Sequence, residues 1–392
     1  MEPVKHPPAN GWRHWVLRTF GSALLIALGC ASGALLGEIG FRLAGQDLRF
    51  PVMFVPDTSL VYRLKPGIRE RTVNAGYFDY SYTVNRQGFR ATREYGRKQA
   101  GVKRVLVLGD SFTFGVGVDD GATYPQRVED RLSAWCGPGR VEVINGGVGG
   151  YGTSHELVFF ERYGRPLAPD VVVLGFMAAD PEDNLLRGLH RLDGDLLVDV
   201  PADMRAGWGR IRASEHVPAF DFLTRHSTLF NWVRFQIGKI SSQLEERRLE
   251  RAEDEGGGAA STAVATPATP GANTSGSHRE DAKWRLTRRL LERFADEVTQ
   301  SEAKLVTAII PHGGTLGVYE RAGRDTTLRT LYESCEDYEL TCVDVSVHFL
   351  RHRPGVQWES LYLREGHFNE SGYDLVAEAV APQVARVLGC PT

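Results

Sequence analysis

From residue 104 onward, short and continuously apolar runs recur at 104–108, 141–144, 170–176, 304–310 and 341–345. Between them the apolar positions repeat at helical spacing, over 125–135, 154–163, 282–299, 324–335 and 370–387. Strands that are apolar on both sides belong inside a sheet covered on both faces. Their alternation with amphipathic helices predicts parallel strands joined by helical crossovers. The pattern therefore predicts an α/β chain: a three-layer α/β/α, flavodoxin-like fold on a five-stranded parallel sheet, spanning 104–388.

Two stretches break the rhythm. Residues 182–252 are mixed in character and end in a charged helical run, 243–252, best read as a solvated face. Residues 253–280 are mostly Gly, Ala, Ser, Thr and Pro with flanking charges, a composition that cannot bury a core and predicts a disordered linker. Both fall between the third and fourth strands, so they are insertions within one domain. Ahead of the rhythm, residues 43–103 are rich in aromatics, Pro and Gly, with alternating runs such as 77–84, and predict an irregular, partly β lead-in.

The first forty residues follow a different pattern. Residues 19–37 carry no charge, enough to cross a bilayer as a helix; Lys5, Arg13 and Arg18 precede them, and Glu38 and Arg42 follow. This predicts a single membrane helix over 19–41, a cytoplasmic stretch 1–18, and export of everything beyond. A cleaved signal peptide is the rival reading, since 31–34 offers small residues; Cys30 sits in poor context for lipidation. Export leaves Cys136, Cys335, Cys342 and Cys390 in an oxidising compartment, with three possible connectivities. Their positions at element ends favour Cys335–Cys342 and Cys136–Cys390. No CxxC spacing suggests a metal site.

Composition narrows the class further. Of 392 residues, 42% are hydrophobic and 24% charged, which is globular; 46 basic against 49 acidic residues provide no polycation for nucleic acid. The 43 glycines follow no collagen-like period.

Three blocks carry candidate chemistry. The first strand runs into Gly109, Asp110 and Ser111, so a serine stands where parallel sheets bind ligands, with its N–H free to meet an anion. The second strand runs into Asn145 and a glycine-rich loop, 146–152, whose backbone can approach a substrate and donate hydrogen bonds. That loop has neither GxGxxG with an acidic partner nor GxxxxGK[ST], so nucleotide binding scores low. The third block, Glu365 to Asn369, places His367 before the last helix, with a carboxylate two residues earlier to orient the imidazole. His312, after the fourth strand, is a second candidate for the pocket.

Taken together, the blocks resemble those of the SGNH/GDSL hydrolase superfamily, in the membrane-anchored branch related to alginate-acetylation proteins, where acid and histidine are separated by one residue. The resemblance spans roughly 104–387 outside the insertion, and the segment 85–90 and the anchor also resemble tethered members. It implies Ser111 as nucleophile, His367 as base, Glu365 as orienting acid, and Ser111 and Gly150 as oxyanion donors, with no cofactor and no metal. Asp110, Asn145, Asp180, Asn184 and His312 are candidate pocket residues. The implied reaction is hydrolysis of short acyl, typically acetyl, esters of extracytoplasmic carbohydrate through an acyl-serine. O-acetyl transfer by the same site is the alternative, as is a degraded carbohydrate-binding or scaffold role with polysaccharide-assembly partners. Two positions depart from the family pattern. Ala179 stands where an oxyanion asparagine is usual, with Asn184 as a candidate substitute, and Glu365 replaces the usual Asp.

Overall fold

A computed structural model describes residues 11–205, 219–240, 274–312, 329–338, 340–352 and 357–391. The chain divides into two compact units. One comprises residues 1–50 and 222–262. Its helix α1 (Gly11–Leu43) contains one stretch, Arg18–Leu43, long and apolar enough to cross a membrane. Glu38 ties this helix to helical residues 222–240, accepting the backbone N–H groups of Thr228 (3.1 Å) and Leu229 (2.9 Å) and the Ser227 hydroxyl (2.9 Å). The charged run 243–252 lies outside the described residues.

The second unit, 51–221 with 263–392, holds the sheet. It opens with two antiparallel pairs: β1 (Phe54–Asp57) with β2 (Val61–Leu64), and β3 (Ile68–Asn74) with β4 (Phe78–Val84). The main strands are β5 (Lys103–Gly109), β6 (Val141–Gly147), β7 (Val171–Met177), then β10 (Lys304–Ile310) and β11 (Thr341–Asp344) after a hairpin of β8 (His190–Asp193) and β9 (Leu196–Asp199). All five main strands are parallel, in the spatial order β11-β10-β7-β5-β6. Counted along the chain this is 2-1-3-4-5, the flavodoxin-like order, with its switch point at β5. Each strand matches an apolar run predicted from the sequence.

The period of two sorts the strand side chains into two cores. Leu106, Leu108, Ile144, Val172, Leu174 and Ile309 pack with α4 (Thr153–Phe159), α6 (Thr274–Gln300) and the lead-in aromatics. Val105, Val107, Val143, Val173 and Val306 face α3 (Tyr124–Cys136), α8 (Val345–His352) and α9 (Glu370–Leu388). Two short helices, α2 (Ser111–Phe114) and α5 (Asp180–Arg187), follow β5 and β7, and α7 (Arg329–Asp337) precedes β11.

Helix α6 begins at Thr274, inside the stretch predicted as linker. Composition misleads there because tertiary contact overrides it: Arg279 and Lys283, in its first turns, both reach Glu182 on α5. The remainder of that linker, 253–273, lies outside the described residues. The two disulfides are Cys136–Cys390 and Cys335–Cys342.

Candidate active site

The serine is presented by the end of β5. Asp110 caps α2, its carboxylate accepting the Phe112 N–H at 2.8 Å. Burial pushes that carboxyl up to about 6, although the Phe112 N–H pulls it down. Beneath α2, Thr113 Oγ1 and Tyr124 Oη lie 2.8 Å apart. The far end of α2 is clamped by Arg90, only 4% exposed, whose guanidinium donates to the carbonyls of Phe114 (2.7 Å), Gly115 (2.6 Å) and Val118 (2.6 Å). Arg90 closes the segment 85–90 singled out in the sequence, so the lead-in holds the helix that carries Ser111.

The glycine loop after β6 runs alongside. Its Val148 N–H donates to Gly109 O (2.9 Å), and a Cβ on Gly147 would fall 2.2 Å from Phe114 N, so only glycine permits this approach. A Cβ on Gly149 would stand 3.8 Å from Ser111 Cβ, which puts the loop beside the serine. Among the described residues, no group accepts a hydrogen bond from the N–H of Ser111 or of Gly150.

A turn before α9 supplies His367. Leu363 N–H donates to His367 O (2.7 Å), and Asn369 caps α9 by accepting the Gly372 N–H (3.1 Å). The ring is thereby held with Nε2 2.8 Å from Ser111 Oγ. Glu365 Oε2 accepts the His367 backbone N–H (2.8 Å), and its Oε1 lies 3.3 Å from Nδ1. Burial alone would raise the Glu365 carboxyl, but the His367 backbone N–H and the imidazole beside it outweigh that, holding it below the usual carboxylate range. A proton on Nδ1 facing Glu365 leaves Nε2 as the acceptor for the serine hydroxyl. Phe112 lies against the imidazole, ring centroids 4.7 Å apart.

The remaining candidates divide. His312 is at the edge of the site: its Nε2 lies 3.7 Å from where a Cβ on Gly366 would stand, and its ring is 6.4 Å from that of Phe112. Asn145, Asp180 and Asn184 are each buried and engaged in bracing. Asn145 accepts the Gly147 N–H (3.0 Å) and donates to Phe114 O (3.3 Å). Asp180 accepts the Met177 N–H (3.2 Å). Asn184 accepts the Ser154 N–H (2.9 Å) and gives its own amide to Thr287 (3.2 Å), so it does not replace the missing oxyanion asparagine. Ala179 itself brings only a methyl group.

Two features were not predicted. Ser154 Oγ, His190 Nδ1 (2.8 Å) and Asp199, 3.4 Å from His190 Nε2, imitate a triad. Ser154 is fully buried and accepts the Leu189 N–H (2.8 Å), so it is a brace and not a nucleophile. Glu156, on α4, is 1% exposed, and neither carboxyl oxygen has a hydrogen-bonding partner among the described residues. Burial drives its pKa well above the ordinary range, with Asp110 adding to the effect.

No protein-family model matches the sequence, and no curated protein matches it. Solved structures resemble parts of the chain path. They include TesA (14% identity, 73% of this chain and 99% of that one, TM-score 0.38). The acetylxylan esterase Axe2 of Geobacillus stearothermophilus is another (13%, 76% and 97%, TM-score 0.38). A third is the two-domain esterase CEX, active on acetylated mannans (12%, 75% and 52%, TM-score 0.39). At these scores the likeness carries no functional weight.

Proposed function

We propose that this chain is a serine esterase of the SGNH/GDSL type that removes short acyl groups, acetyl foremost, from extracytoplasmic carbohydrate. The observation that carries the reading is the 2.8 Å contact between Ser111 Oγ and His367 Nε2, with Glu365 3.3 Å from the other ring nitrogen. It stands at the C-terminal edge of the sheet beside two N–H groups that meet no acceptor among the described residues.

In the reaction, His367 takes the hydroxyl proton as Ser111 Oγ bonds to the ester carbonyl carbon. Glu365 steadies the imidazolium, and the Ser111 and Gly150 N–H groups hold the oxyanion. Collapse returns the carbonyl, breaks the ester C–O bond and passes the proton from His367 to the departing alcohol. Water, activated by the same histidine, then releases the acyl group as the acid; a sugar hydroxyl in its place makes the enzyme an O-acetyltransferase. The acyl and carbohydrate classes rest on the sequence resemblance.

The chain is read as a single-pass membrane protein with a cytoplasmic N-terminus, supported by the basic residues ahead of the apolar span and by the two disulfides beyond it. One observation favours a second reading, a carbohydrate-binding or scaffold protein without turnover: Ala179 offers no third oxyanion donor.

Turnover of p-nitrophenyl acetate by the full chain in detergent, beside Ser111→Ala, tests the proposal. A fall of about 10³-fold or more in the variant is expected. Equal rates would overturn the esterase reading, and oligosaccharide binding retained alongside them would establish the second one.

A further inference from the structure

The peptide unit joining Gly149 to Gly150 has one end in the proposed oxyanion hole and the other held by a residue outside the sheet. Tyr62, on β2 of the lead-in, donates its hydroxyl to Gly149 O at 2.9 Å. No peptide bond here is cis, so the Gly150 N–H points opposite to that carbonyl, away from Tyr62. Gly150 has φ +81°, and a Cβ there would lie 2.8 Å from Tyr62 Oη, so the glycine is needed for the backbone conformation and for the tyrosine's approach. The tyrosine is itself held in place. Tyr151 Oη donates to Tyr62 O (2.5 Å), and the Tyr62 ring lies 4.9 Å from Phe54 and 5.4 Å from Tyr151, centroid to centroid.

We infer that Tyr62 is a positioning residue for the oxyanion hole, orienting and polarising the Gly149–Gly150 peptide so that the Gly150 N–H becomes a stronger, fixed donor. The inference rests on the esterase reading and deepens it. A hydrogen bond accepted by an amide oxygen draws electron density from the amide nitrogen, so the N–H of the same unit donates better. With Ala179 supplying no third donor, the hole depends on two backbone N–H groups, and strengthening one of them carries more weight. Burial pushes the Tyr62 phenol up to about 12, so it stays a protonated donor across the working pH range.

The test compares Tyr62→Phe and Tyr163→Phe with the wild-type full chain in detergent. Tyr163 donates to Asp57 Oδ2 on β1 (2.5 Å), so its variant also costs the lead-in one half-buried hydrogen bond. The readouts are kcat, KM for p-nitrophenyl acetate, and the rate at which a fluorophosphonate, whose tetrahedral adduct mimics the oxyanion, modifies Ser111. Tyr62→Phe is expected to lower kcat and the phosphonylation rate together by about tenfold, a fraction of the loss for a deleted donor, with KM within about twofold. Tyr163→Phe should leave both rates near wild type. Wild-type rates in Tyr62→Phe, or equal losses in both variants, would overturn the positioning role while leaving the esterase intact. A wild-type chain without Ser111-dependent turnover or labelling would overturn both.

Discussion

The methyl group of Ala179 sets how much the rest of the site must do. Removing one oxyanion donor from a serine hydrolase costs on the order of 10²–10³ in rate. Ala179→Asn should therefore raise kcat, by about tenfold or more if the new amide reaches the oxyanion, and leave KM nearly unchanged; steady-state kinetics on an acetyl ester checks it. The residues of the proposed site could be picked out in the sequence because each stands just after a strand or in a loop whose place in a parallel sheet follows from the pattern. Ser111 follows β5 at the start of α2, Gly150 lies in the loop after β6, and Glu365 and His367 precede the last helix. Asn184 was not legible in the same way. What its amide does is decided by Ser154 and Thr287, and Thr287 lies on a helix beyond the insertion. Nor was Tyr62, since nothing in a short aromatic-rich run tells which hydroxyl will meet which carbonyl.

At the scale of elements, continuous apolar strands and amphipathic helices were readable because burial on two faces leaves little freedom in composition. Where the chain departs from the reading, as at the start of α6, a contact with another helix has outweighed local propensity. The least expected feature lies on α4, where Glu156 is buried with no hydrogen-bonding partner among the described residues. Its carboxyl ordinarily titrates near 4.5 and is held well above that in the fold, so the folded state keeps its proton. The unfolded chain releases that proton once the pH passes about 4.5, and stability then declines as pH rises toward the folded value. Glu156→Gln removes this dependence. Its melting midpoint should exceed that of wild type at pH 8 by about 1–2 °C for each kcal/mol recovered, and should match it near pH 4. Thermal scans at the two pH values decide it, and a gain of the same size at both would refute the linkage. Asp180, likewise pushed up by burial, contributes a slope of the same sign and keeps the variant's profile from becoming entirely flat.

Across the sheet-bearing unit, the lead-in does more than pad the sheet, because Arg90 and Tyr62 each brace one side of the proposed site. The covalent frame has an effect of its own. Cys136 and Cys390 are 254 residues apart in sequence, and the bond between them closes α3 onto the end of α9. Ser111 lies before this loop and His367 within it. A protease that severs the backbone once between Cys136 and His367 therefore cuts the polypeptide in two without parting Ser111 from His367. Limited proteolysis should give a product that runs as one band without reductant and as two with it. The cut, unreduced protein is expected to keep Ser111-dependent turnover, as two chains tied like the halves of a cross-linked hormone.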